Sequence, residues 1–194
     1  MTTPHIRDYK GKRIYMIGIG GSSMSGLAQM LHDKGYNVTG SDKTHSHAVE
    51  RLEEMGMQVF IGHHAENVAG ADLLIYSAAI HPDNPERMYA AEHGIPQIER
   101  AVLLGQVMEG HRNSVCISGA HGKTTASSML AQTLLDCDMD PAIHIGGRID
   151  KIGGGTRIGG DDVFVAEACE FAGSFLRLIR LMAAWVSYSE SRGS

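Results

Sequence analysis

Two glycine-containing loops carry the residue types best suited to chemistry. Gly119-Ala120-His121-Gly122-Lys123-Thr124-Thr125 follows an apolar run and precedes residues at helical spacing. In that setting backbone amides can wrap the phosphates of ATP, a lysine can reach the terminal ones, and the next hydroxyl can hold Mg²⁺. The segment is shorter than the standard phosphate loop, because Ile117 stands where the first glycine belongs and Gly119 supplies the turn. Lys123 is therefore the candidate catalytic cation and Thr124 a candidate metal ligand. Glu167 lies just past the apolar Val163-Phe164-Val165-Ala166. A carboxylate there suits the magnesium shell, since that ion takes oxygen ligands and keeps positions for water and phosphate.

The other loop is Gly18-Ile19-Gly20-Gly21-Ser22-Ser23-Met24-Ser25-Gly26, placed between the first apolar run and the first helical pattern. Glycines let the backbone approach a diphosphate, and the amides of a helix start face the anion. Ser23 occupies the place of the last glycine of G-x-G-x-x-G, while Asp42, about 20 residues on, suits a ribose hydroxyl. The competing interpretation of this loop is a tight strand-to-helix turn with no ligand, and that of the 119–125 segment is a chance Gly-Lys-Thr in a surface loop. Among the eleven histidines, His121 could line the nucleotide or the acceptor. His45, His47, His63 and His64 read as surface loop residues, because no histidine spacing suggests a metal site. The scattered methionines, such as Met24, Met30, Met55 and Met129, read as gap-filling core.

These loops need elements to hold them. Apolar runs at residues 13–19, 37–41, 58–61, 72–77 and 96–98 predict strands, and helical spacing at 24–34, 86–92 and 100–109 predicts helices between them. A second set begins with a strand at 114–118, continues in a helix over 123–136, and returns to strand at 162–166. The glycine-rich stretch 146–160 lies between the last two. Such alternation predicts an α/β fold, with mostly parallel sheets and ligands at the C-terminal ends of strands. A polar break near Gly110 marks a boundary. With 22 acidic against 17 basic residues and a formal charge of −5, the chain offers no basic stripe for nucleic acid. Cys116, Cys137 and Cys169 form no CxxC pair, and the N-terminus is polar from the start. Both features suggest a cytoplasmic setting, and no apolar run is long enough for a membrane span.

Taken together, the motifs resemble those of the Mur ligases of peptidoglycan synthesis, nearest to the alanine-adding branch. The resemblance rests on residues 17–28, Gly40-Ser41-Asp42, Ser77-Ala78-Ala79-Ile80 with Asp83-Asn84-Pro85-Glu86, the segment 118–125, and Glu167-Ala168-Cys169-Glu170 with Ser174-Phe175-Leu176. It implies a Rossmann-like substrate domain over residues 1–110, an incomplete P-loop-type α/β domain over 111–176, and an atypical tail over 177–194. It further implies that Gly18, Gly20, Gly21, Ser22, Ser23, Met24 and Ser25 hold the diphosphate of UDP-N-acetylmuramate, with Asp42 near the nucleoside. Gly119, Ala120, His121, Gly122, Lys123, Thr124 and Thr125 would bind ATP, and Thr124 and Glu167 would bind Mg²⁺. The implied reaction joins L-alanine to UDP-N-acetylmuramate through an acyl phosphate.

Two departures from the family stand out. Cys169 replaces the usual aspartate, and the family's continuation is missing after Leu176, where Arg177 to Ser194 reads as a short amphipathic helix or a frayed end. A truncated or frame-shifted chain that is catalytically silent on its own is therefore expected. Two alternatives stay open: a non-catalytic UDP-sugar-binding module, and a nicotinamide-dependent oxidoreductase suggested by the first loop and Asp42.

Overall fold

The computed structural model describes residues 3–119, 121–167 and 182–185. The chain divides into two compact units, Met1–Val107 and Met108–Ser194. In the first, strands β1 (Arg13–Ile17), β2 (Asn37–Asp42), β3 (Gln58–Ile61), β4 (Leu73–Tyr76) and β5 (Gln97–Glu99) alternate with helices α1 (Ser22–Asp33), α2 (His47–Glu54), α3 (Pro85–Glu92) and α4 (Arg100–Met108). The strands form one parallel sheet ordered β3-β2-β1-β4-β5. The order reverses beside β1, the place where such sheets open a crevice at their C-terminal ends.

Local chemistry accounts for these elements. Ile14, Tyr15, Met16 and Ile17 of β1 and Leu73, Leu74 and Ile75 of β4 are all fully buried, as expected of strands covered on both faces. Helix α1 turns Met24, Leu27, Ala28, Met30 and Leu31 into the core. Ser46 caps α2 through the Val49 amide, while Asn84 caps α3 through the Glu86 and Arg87 amides with Pro85 at the first turn. Tyr15, Ile17, Val68, Leu74 and Ala90 pack as one cluster against Phe60 and Tyr76.

The second unit holds β6 (Asn113–Ser118), α5 (Lys123–Asp136), β7 (Ala142–Ile149), β8 (Gly154–Arg157), β9 (Val163–Glu167) and β10 (Met182–Trp185). Its sheet runs β10-β6-β9-β7-β8, parallel except for the antiparallel pair β7–β8. Ala131 of α5 packs with Ile143, Ile145, Val163 and Val165. The glycine-rich stretch 146–160 contributes to a β-hairpin, with a register shift between His144 and Ile149. One expectation needs correction. Residues 182–185 are not helical but pair with β6, from Met182 against Val115 to Trp185 against Ser118. The edge of β6 carries unpaired backbone groups that a strand satisfies and a helix does not. The rest of the tail, and Ala120, Cys169 and Glu170, lie outside the described residues. Among the described residues, no helix is long and apolar enough to cross a membrane.

One glycine in β2 is required by close approach. A Cβ on Gly40 would come within 2.3 Å of the Met16 carbonyl oxygen and 2.9 Å of Ile19 Cδ1. Strand propensity favours alanine over glycine, but here β1 would have to shift. Gly40→Ala is therefore expected to destabilise the first unit by about 1–3 kcal/mol, read as a lower urea midpoint by circular dichroism. A stabilised variant would show that the contact is not as described.

Candidate functional site

The loop after β1 is braced from β2. The Ser41 carbonyl accepts the Gly18 and Ile19 amides at 2.8 and 3.0 Å, and Gly21 donates to the Gly18 carbonyl at 3.1 Å. Asp42 accepts the Gly20 amide at 2.9 Å through Oδ2 and the Thr44 amide at 3.3 Å through Oδ1. The loop's own amides are thus largely engaged, and the anion-facing donors are those that open α1, which begins at Gly21 with no side-chain cap. Ser22 is exposed and Ser23 half-buried, whereas Met24 and Ser25 are buried. The Met24 side chain belongs to the core. Ser25 is also turned inward: its amide reaches the Gly21 carbonyl at 2.8 Å and its hydroxyl the Ser22 carbonyl at 3.2 Å. Arg100, which sequence reasoning passed over, donates to Ser23 Oγ at 2.9 Å.

Beneath this loop lies a polar cluster. Glu86 is fully buried, and its carboxylate contacts Tyr15 Oη and Ser41 Oγ at 2.7 Å each, Asn67 Nδ2 at 3.1 Å and His63 Nδ1 at 3.0 Å. Burial pushes the Tyr15 phenol well above its ordinary value, so it remains a donor. His63 is therefore not the surface loop residue its polar neighbourhood suggested, since its side chain is only 10% exposed. The signal that could have found it is the interruption of an apolar strand end by a polar pair, which marks loops and buried networks alike. His45 does stay at the surface, beside Glu50 and Glu53.

In the second unit the turn before α5 is made by Gly122 at φ +76°, which a side chain would resist, and no side chain caps the helix. Lys123 Nζ folds back to donate to the Gly119 carbonyl. His121, Thr124 and Thr125 are exposed. Glu167 is held at both oxygens: Ser127 Oγ lies 2.5 Å from Oε1, and the Gly146 amide donates to Oε2 at 2.9 Å. The same Ser127 oxygen lies 2.8 Å from the Lys123 carbonyl, so the buried serine couples the start of α5 to the end of β9. A Cβ on Gly146 would meet Glu167 Oε2 at 2.9 Å, which explains a bare residue there. Ser127 was missed, although its position one helical turn after Lys123 was available.

The chain can now be compared with known proteins. A model described as "Mur ligase family, catalytic domain" matches residues 13–112. The chain belongs to the Mur ligase family. It is 50% identical over 168 residues to UDP-N-acetylmuramate–L-alanine ligase of Acetivibrio thermocellus, covering 87% of this chain and 36% of that protein. It is likewise 50% identical over 174 residues to the ligase of the same name from Caldanaerobacter subterraneus, covering 90% of this chain and 38% of that one. Among solved structures, UDP-N-acetylmuramate-alanine ligase of Thermotoga maritima is similar with a TM-score of 0.74 and 29% identity, over 80% of this chain and 36% of that one. The UDP-N-acetylmuramate:L-alanyl-gamma-D-glutamyl-meso-diaminopimelate ligase of Neisseria meningitides gives a TM-score of 0.81 and 27% identity, over 93% and 62%. The chain thus spans little more than a third of the length of the curated relatives it matches. Membership in this family displaces the nicotinamide-dependent reading.

Burial pushes the Cys116 thiol up to about 11 from 9.0, and the Glu167 charge adds to the rise. At pH 8 only about a thousandth of it is thiolate, the reactive form. Iodoacetamide at that pH is expected to spare Cys116 in the folded chain and to label the exposed Cys137, as read by peptide mass spectrometry. The folded state keeps this proton longer than the unfolded one. The thiol's contribution to stability is therefore complete below pH 9 and lost as the pH rises toward 11. Rapid labelling of Cys116 without unfolding would contradict the burial.

Proposed function

We propose that this chain carries the substrate cradle and the ATP loop for ATP-dependent joining of L-alanine to UDP-N-acetylmuramate, a cytoplasmic step of peptidoglycan synthesis. The observation that carries this reading is the pair of uncapped helix starts, α1 after β1 and α5 after β6, each entered through glycines. Two such starts, in separate units, suit two phosphate-bearing molecules. The names of the relatives supply the substrates.

In this reading the α1 amides receive the diphosphate of the UDP-sugar, with Gly18, Gly20 and Gly21 keeping side chains out of the way. Asp42 braces the loop while facing the nucleoside side. The α5 start receives the phosphates of ATP, and Lys123 leaves the Gly119 carbonyl to reach them. The donor set fits a magnesium ion, because Thr124 offers an exposed hydroxyl and Glu167 an oriented carboxylate, both oxygen ligands. Bound there, the ion would neutralise charge on the transferring phosphoryl group. Lys123 and the amides do the same by position, lowering the barrier to phosphorylation of the muramyl carboxylate, whose acyl phosphate the amine of L-alanine then attacks.

Calorimetric titration of the chain tests this. UDP-N-acetylmuramate is expected to bind, and Gly20→Val to abolish binding, because even a Cβ there would sit 2.8 Å from Val49 Cγ2 and 2.9 Å from Asp42 Oδ2. Lys123→Ala should leave that binding unchanged while removing whatever heat ATP with Mg²⁺ produces. No heat from UDP-N-acetylmuramate with the wild-type chain would end the substrate reading.

A further inference from the structure

Two adjacent glycines of β7 touch the two candidate cation ligands of the second unit. Neither Gly146 nor Gly147 has a positive φ, so no turn asks for glycine at these places, and glycine weakens a strand interior. Their neighbours account for the missing side chains. The Gly146 amide donates to Glu167 Oε2 at 2.9 Å. A Cβ on Gly147 would collide with the Thr124 methyl carbon Cγ2, yet would stand 3.6 Å from Thr124 Cβ and 3.8 Å from Ser128 Oγ, both ordinary contacts. The threonine methyl alone stands in the place that a side chain on Gly147 would take.

Strand β7 has little room to retreat from this contact. It pairs with β9 from Ala142 to His144 and with β8 along the hairpin. On the β8 side, a Cβ on Gly155 would strike the Gly147 carbonyl oxygen. The hairpin is thus closed against Gly147 by β8 and by the first turn of α5. A helical threonine ordinarily divides between two χ1 states, which exchange its oxygen and its methyl. Seating the methyl removes that choice. The substituents on Cβ are fixed relative to one another, so a methyl held at Gly147 gives the hydroxyl one direction.

We infer that Gly147 is a positioning residue: its bare Cα seats the Thr124 methyl and so aims the Thr124 hydroxyl, while the Gly146 amide aims Glu167. This rests on the reading of Thr124 and Glu167 as oxygen ligands of Mg²⁺. Strand β7, rather than the phosphate loop, then sets the spacing of the two oxygens. A serine in place of Thr124 would supply the same oxygen without the methyl, and its χ1 would sample three staggered wells.

A double-substitution cycle tests this. Gly147→Ala alone is expected to lower the urea midpoint, because its Cβ meets the Thr124 methyl. Gly147→Ala combined with Thr124→Ser should return to the midpoint of Thr124→Ser alone, since the new methyl fills the vacated space. Equal losses from Gly147→Ala in the two backgrounds would overturn the inference. For the cation, the readout is the ratio of ATP affinities with Mg²⁺ and with EDTA, measured by calorimetry, a ratio that a smaller folded fraction leaves alone. Thr124→Ser should lower it about threefold, one well in three being productive. Gly147→Ala should lower it about tenfold, as when a group behind a metal ligand is displaced, and the double variant should recover to the Thr124→Ser value. A ratio unchanged in either single variant, or no recovery in the double variant, sinks the inference and leaves the ATP reading intact. Wild-type affinity equal with and without Mg²⁺, or no ATP binding in either condition, removes the cation reading and the inference together. Carbon-13 couplings of the ligand-free wild-type chain check the seat with no variant required. One χ1 for Thr124, with a methyl NOE to Gly147 Hα, is expected, and an averaged χ1 refutes the mechanism.

Discussion

A carboxylate with no access to water governs the upper edge of the first sheet. Moving such a group out of solvent costs several kcal/mol unless donors replace its hydration. Glu86 finds them on four segments of the fold: Tyr15 on β1, Ser41 on β2, His63 after β3 and Asn67 beyond it. None of these can slide by a residue without leaving an oxygen or a donor unmatched. The network therefore sets register where hydrophobic packing alone would tolerate slippage, since Ile14, Met16 and Ile17 make β1 apolar on both faces. It also passes that order upward, because Ser41 turns its hydroxyl to Glu86 and its carbonyl to the Gly18 and Ile19 amides. A glycine loop, flexible by composition, is thereby held by a buried side chain it never touches.

Parts of this arrangement can be read directly from residue order. Strand β3 at Gln58–Ile61 and helix α5 at Lys123–Asp136 fall where periodicity puts them, because apolar runs and helical spacing are local signals. The hairpin of β7 and β8 is different. Gly146 and Gly147 offer no side-chain pattern, and their strand conformation follows from what surrounds them: Glu167 crowds one and Thr124 the other. A glycine chosen for what its neighbours exclude looks the same in sequence as one chosen for a turn. His63 fails to stand out for the opposite reason. Its burial depends on Glu86, 23 residues away, and polarity along the chain cannot show which polar residues meet in space.

The two loops use acids at strand ends in contrasting ways. Asp42 accepts an amide from the loop it adjoins, which stiffens the loop but takes Gly20 N–H away from any anion. Glu167 accepts its amide from Gly146 on β7 and a hydroxyl from α5, and so leaves the amides of the phosphate loop alone. Under the proposed function, the first device suits a substrate held in one orientation through its sugar and base, with charge recognition delegated to the first turn of α1. The second suits a nucleotide whose terminal phosphate must be surrounded by donors as charge shifts during transfer.

Ser127 gives that second device its precision. A glutamate at a strand end has three side-chain torsions to fix, and an exposed one would sample many rotamers. With one oxygen held to a buried hydroxyl on α5 and the other to a backbone amide on β7, the carboxylate plane is set by two rigid elements rather than by a loop. The same hydroxyl also lies against the Lys123 carbonyl, so the acid is oriented relative to the helix that begins with the lysine. The carboxylate proposed to hold magnesium and the lysine proposed to reach phosphate are thus referred to a single buried oxygen. That shared reference explains why a serine belongs on the packed face of α5, where hydrophobic burial alone would favour alanine.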